Sequence, residues 1–121
     1  MTNLPRPPAH LEAYVRILGV EGAITFLLNY GGGELYIPRN AVAGSPLAEL
    51  LGLDAARALG AAADRLPKRV PTGKPWIAQI RAAQGLSATQ IARTLHASDV
   101  SVRKWLKAAK RPADPRQFPL I

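Results

Sequence analysis

The stretch that most constrains the fold is Leu86 to Leu106, LSATQIARTLHASDVSVRKWL. Ser87 is a strong N-cap residue, and Gln90 three positions later fits a capping box. Ile91, Ala92 and Leu95 follow at i, i+1 and i+4, one apolar face of a helix. Ala92 is small where a second helix must cross closely. His96-Ala97-Ser98 is short and polar enough to turn, and Ser98 can cap a second helix with Val102, Trp105 and Leu106 on its apolar face. Asp99, Val100, Arg103, Lys104 and Lys107 then point away from the core. Cap, small crossing residue, turn and second apolar face agree in one register. The spacing therefore predicts a helix-turn-helix with a cationic face that a major groove could receive. The turn departs from the usual pattern at His96, where Gly is common because that residue often takes φ > 0. His tolerates this better than most residues. The competing reading is a three-helix core that touches no nucleic acid.

Charge supports the first reading. The chain of 121 residues carries a formal +8. Residues 1–64 hold 4 Lys and Arg against 6 Asp and Glu, and residues 65–121 hold 12 against 2. The halves thus stand at −2 and +10, and the basic half contains the turn motif. A cationic face that coincides with a groove-reading motif favours a polyanion. A membrane surface fits less well, because the basic segments lack large apolar residues on a free face. The start, MTNLPRPPAH, has no apolar signal core, and no run is long enough to span a bilayer. The expectation is a cytoplasmic protein of a bacterial cell, nucleoid-associated when bound, with no membrane partner.

Upstream, residues 1–8 are Pro-rich and read as extended. A helix follows Pro8, with Leu11, Tyr14, Val15 and Leu18 on one face and Gly19 as its break. A second helix runs from about Glu21 to Tyr30, with Ala23, Ile24, Leu27 and Leu28 inward. Gly31-Gly32-Gly33 ends it, with Gly as the left-handed C-cap. Glu34–Ile37 reads as a short strand closed by Pro38. The triple Gly follows a helix and precedes a strand, the reverse of the phosphate-loop order. The pattern then recurs: Ile17-Leu18-Gly19-Val20-Glu21-Gly22-Ala23 aligns with Leu50-Leu51-Gly52-Leu53-Asp54-Ala55-Ala56, and Ile37-Pro38 with Val70-Pro71. A helix–Gly–helix–strand–Pro unit thus occurs twice, its second strand degenerate. One copy cannot bury its own apolar face and needs its sibling or another subunit.

The predicted fold class is mainly α with one or two short β-strands. Residues 1–70 form an N-terminal helix-strand dimerisation domain and 71–75, PTGKP, a linker. Residues 76–110 form the helix-turn-helix domain and 111–121 an irregular tail. In the helix from Trp76 to about Gln84, Pro75 sits in the first turn and Ile77, Ile80 and Ala83 point inward.

With both halves in view, the chain resembles the Mor transcription activator family, the phage middle-operon regulators and their prophage relatives. The resemblance is carried by LGVEGAITFLLNYGGGELYIP at 18–38, LLGLDAARAL at 50–59 and QGLSATQIARTLHASDVSVRKWL at 84–106. It covers residues 10–108 and implies a homodimer built by the N-terminal half. It also implies two helix-turn-helix units on a palindromic promoter site, with activation through contact with RNA polymerase. The degenerate second strand and the His96 turn are departures from the family pattern.

The residue types suit double-stranded DNA. Arg103 can fork onto guanine O6 and N7, and Lys104 and Lys107 suit phosphate or guanine. Asp99 can accept from a cytosine amino group or simply favour the helix dipole. Ser87, Thr89, Gln90 and Ser101 can reach phosphates from the groove edges, with Ser98 and Val100 in the same candidate set. Trp105 is assigned to the core. Leu27, Leu35 and Ile37 are the expected dimer-interface residues. Near that dyad Arg39 can enter a minor groove and Tyr36 can touch the backbone, or Tyr36 can pack between helices. The chain has no Cys, and His10 and His96 lie in different units without paired carboxylates. No metal-ligand spacing, nucleophile motif or Walker loop is present, so neither an enzyme nor a cofactor is expected. A repressor on the same scaffold, or a non-catalytic interaction or recombination accessory module, are the alternatives.

Overall fold

The computed structural model describes residues 4–109. Its helices are α1 (Glu12–Tyr30), α2 (Pro46–Leu51), α3 (Leu53–Ala61), α4 (Lys74–Ala83), α5 (Ala88–Leu95) and α6 (Asp99–Ala109). Single 3-10 turns stand at Ala9–Leu11 and Ala63–Arg65. The architecture is mainly α. The described residues divide into two compact units, Pro7–Gly73 and a second that joins residues 4–6 to residues 74–109. No helix among the described residues is long and apolar enough to cross a membrane. The expected tail, 111–121, and Lys110 lie outside the described residues.

In the unit Pro7–Gly73 the helix–Gly–helix pattern occurs twice. Gly19 kinks α1 at φ 78° and ψ 172°, and Gly52 separates α2 from α3 at φ 92° and ψ 151°. The two glycines stand 33 positions apart in nearly the same conformation, one that side-chain-bearing residues rarely adopt. α1 packs against both α2 and α3. Leu11, Tyr14, Ala23, Ile24, Phe26, Leu27, Ala56, Leu59 and Val70 fill the core. Phe26 stacks on Tyr14 at 5.5 Å between centroids and lies 5.4 Å from Tyr30. Phe26 takes the buried place expected of Leu28, which is 41% exposed.

The expected strand Glu34–Ile37 does not form; the described residues contain no strand. Glu34 instead makes one isolated antiparallel bridge with Arg69. The Gly32 N–H donates to Val70 O at 2.7 Å, the Val70 N–H to Gly33 O at 2.8 Å, and the Leu35 N–H to Lys68 O at 3.1 Å. The Arg69 guanidinium adds a 2.6 Å bond to Gly32 O. Pro38 bounds one arm, and Pro67 and Pro71 bound the other. Proline donates nothing to a ladder, so pairing stops after one bridge. The two copies therefore pair with each other inside one chain. Leu35 and Lys68, also 33 positions apart, meet at one edge of that pairing, next to the Glu34–Arg69 bridge. The C-cap differs from expectation as well: Gly31 has φ −59°, and Gly32 takes the positive φ of 90°. Gly31 is needed for close approach, because a β-carbon there would stand 2.9 Å from Pro71 O.

In the second unit α4, α5 and α6 pack against one another. Lys74 and Pro75, expected in the linker, belong to α4, with Pro75 in its first turn where a missing N–H costs nothing. Trp76, Ile77, Ala78 and Ile80 of α4 are buried, and Ala83, expected inward, is exposed. The Trp76 Nε1–H donates to Pro5 O at 3.0 Å, which ties the N-terminal stretch to this unit. α5 contributes Ile91, Ala92 and Leu95 to the core, and α6 contributes Val102. Trp105 and Leu106, assigned to the core from their spacing, are only half-buried. The large buried indole is that of Trp76.

Candidate nucleic-acid interface

The geometry of α5 and α6 follows from short-range chemistry. Ser87 Oγ accepts from the Gln90 N–H at 3.2 Å, and Gln90 Oε1 accepts from the Ser87 N–H at 2.8 Å. This reciprocal pair satisfies N-terminal donors of α5 that would otherwise have no helical acceptor. α5 ends at His96, which adopts the left-handed conformation at φ 54° and ψ 47°. It is the single non-Gly residue with positive φ among the described residues. The chain thereby passes from α5 to α6 in three residues. Ser98 Oγ then accepts from the Ser101 N–H at 3.1 Å and caps α6. The Ser98 hydroxyl donates to Ser101 Oγ at 3.0 Å.

These bonds decide what each polar group can still offer. Gln90 uses its carbonyl oxygen in the cap and keeps both amide protons for an outside acceptor. Ser101 Oγ accepts from Ser98 and keeps its own proton. Ser87 and Ser98 are occupied as caps, so their first role is to position the two helices. Thr89 is exposed in the first turn of α5, as is Arg93 further along it.

α6 presents the charge. Asp99, Val100, Arg103, Lys104 and Lys107 are all exposed, and Ser101 is half-buried. Arg103, Lys104 and Lys107 engage no partner among the described residues. Spacings of three, four and seven residues put Val100, Arg103, Lys104 and Lys107 along one stripe of the helix. Residues 74–109 carry six Lys and Arg against one acid, Asp99. The unit Pro7–Gly73 carries six of each sign, so the net +8 falls entirely on the rest of the chain.

The other expected site residues lie in the unit Pro7–Gly73. Leu27 is buried in that unit's own core at 2% exposure, so as folded it does not present a surface to a second subunit. Leu35 and Ile37 are half-buried. Within one chain Tyr36 does not pack between helices: it is 85% exposed. Tyr36 and Arg39 line one open cavity of about 290 Å³ with Asp64, Leu66 and Lys68. Lys68 was not singled out from the sequence, because only the antiparallel pairing brings it beside Tyr36. No group of three or more His, Asp or Glu that could hold a metal ion occurs among the described residues.

No known protein family, curated protein or solved structure matches the chain.

Proposed function

We propose that this chain is a sequence-specific, double-stranded-DNA-binding transcription regulator of the helix-turn-helix type. The observation that carries the reading is the exposed cationic stripe of α6, without partners among the described residues and held behind a three-residue turn on a capped three-helix unit. Arg103 supplies a planar fork for a guanine edge. Lys104 and Lys107 supply point charges for phosphate or guanine, and the amide protons of Gln90 and the hydroxyls of Thr89 and Ser101 reach phosphates at the groove edge. Uncompensated charge of this kind attracts DNA at long range, and the paired caps keep the reading helix from fraying.

The regulator acts as a homodimer on a palindromic site. The unit Pro7–Gly73 supports this, since it leaves Leu28, Tyr36 and Val42 in water. The resemblance to the Mor activators supplies the direction, activation by contact with RNA polymerase. Repression on the same scaffold is its rival within this class, and a reporter carrying the native promoter separates the two. The test of the class is selection of genomic fragments by the full-length protein. Enrichment of one palindrome supports a regulator, and enrichment of nothing favours an interaction module. Light scattering of the full chain beside Tyr36→Asp tests the dimer. A monomeric wild type ends that part of the reading.

A further inference from the structure

Among the described residues of the three-helix unit, Val100 is the single large apolar side chain left in water, at 75% exposure. Its presence is not explained by the helix itself. A β-branched residue forms helix less readily than Ala, Lys or Glu, and Val100 contributes nothing to the core. Its neighbours on the same stripe are Arg103 one turn on, Lys104 beside it, and Lys107 after two turns, all exposed and without a partner among the described residues. An apolar protein surface laid over Val100 would have to strip water from these cations without compensation. The partner that suits both features offers anionic groups to the cations and one apolar group to the valine. A DNA major groove does this, because the 5-methyl of thymine is the apolar group on its base-pair edges.

We infer that Val100 reads the 5-methyl group of a thymine. The inference rests on the DNA-binding reading above and deepens it from a charge argument to a named base contact. Valine suits the task because one χ1 rotamer dominates in a helix, so its two methyl groups are fixed before contact. Val100 lies in the first turn of α6, the end that the Ser98 cap holds in place. Recognition helices in this class of motif contact base edges from that end. Arg103, one turn further, then reads a different base pair of the same half-site.

The test uses the full-length protein and a duplex recovered from a randomised library by repeated selection. Each thymine of that duplex is replaced singly by uracil, which removes only the methyl group. The expected result is one thymine per half-site whose replacement weakens wild-type binding about fourfold, the value of one buried methyl group. Val100→Ala and Val100→Ser should bind the thymine duplex more weakly and no longer distinguish thymine from uracil at that position. Circular dichroism should show both variants folded, since Val100 is outside the core. A duplex that binds equally well with uracil at every position overturns the methyl contact and leaves DNA binding intact. Undiminished discrimination in Val100→Ser also overturns it. Failure to recover any duplex overturns the DNA-binding reading, and this inference with it.

Discussion

Gly60 of α3 and Arg39 meet backbone to backbone: a β-carbon on Gly60 would stand 2.8 Å from the Arg39 carbonyl oxygen. It would come closer still to the Pro38 carbonyl oxygen. One turn earlier on the same helix, Arg57 Nε donates to Ala41 O at 3.1 Å. Together these contacts lay residues 38–41 along α3. Helix propensity alone says that Gly60→Ala should stabilise by about 1 kcal/mol. The backbone approach reverses the sign, and overpacking should cost about 1–3 kcal/mol instead. Urea unfolding of the variant gives the sign directly.

The indoles of Trp76 and Trp105 should differ sharply on truncation. Trp76 is buried and bonded to Pro5 O, so Trp76→Ala should cost about 3–5 kcal/mol. Trp105→Ala, from a half-buried site, should cost less than half as much and leave the unit folded. Thermal melts of the two variants side by side decide this. Equal losses would mean that Trp105 carries as much of the core as Trp76.

His96 holds a left-handed conformation that costs an L-residue roughly 1–2 kcal/mol. His96→Gly should therefore raise stability by about 0.5–1 kcal/mol after the extra freedom of unfolded glycine is counted. His96→Val should lower it. Ser98→Ala removes the cap of α6 and should cost about 0.5–2 kcal/mol. Denaturant midpoints for the three variants test the turn as one device.

If α6 enters a groove, binding should weaken steeply with salt. Replacing Lys104 or Lys107 by Ala should flatten the slope of log affinity against log salt by about one unit where that lysine meets phosphate. Arg103→Ala should instead cost about 1–3 kcal/mol on the preferred sequence and relax base choice. Uniform weakening across all sequences would reassign Arg103 to the phosphates.

Burial pushes the Tyr14 phenol above its ordinary 10.0. The folded unit thus favours the neutral phenol, and the unfolded chain ionises first as pH rises. The contribution of Tyr14 is complete below about pH 10 and is lost as pH climbs through the phenol range. Tyr14→Phe should make the alkaline decline in urea midpoint shallower than in wild type while leaving the neutral midpoint within about 1 kcal/mol.

What could be read from the sequence is what short-range chemistry decides. Ser87 and Gln90 stand three residues apart, and the reciprocal cap forms between them. Ile91, Ala92 and Leu95 are buried as their spacing requires, and Gly19 and Gly52 break the helices where the repeat places them. What could not be read depends on partners distant in sequence. Leu28 and Phe26 are two residues apart in one apolar run, and only packing against Tyr14 decides which turns inward. The extended arm at Glu34 finds Arg69 rather than a strand-forming partner, so a full ladder never develops. Gly60 sits in an Ala-rich helix and looks dispensable until residues 38–39 arrive against it. In the candidate interface the exposed cations of α6 were legible because they sit opposite Val102. Lys68 was not, because its place beside Tyr36 and Arg39 comes from pairing between the two copies.

The aromatic residues are partitioned between the two units. Both tryptophans, Trp76 and Trp105, lie in the three-helix unit, and all three tyrosines, Tyr14, Tyr30 and Tyr36, lie in Pro7–Gly73. Intrinsic fluorescence is therefore a built-in, label-free reporter that separates the units by colour. Emission excited at the red edge of absorption, where tyrosine is silent, follows the three-helix unit alone, and near-ultraviolet tyrosine bands follow the other. Heating the unmodified chain with and without added duplex, while recording both signals, tests whether DNA binds at all and, if it does, which unit it stiffens.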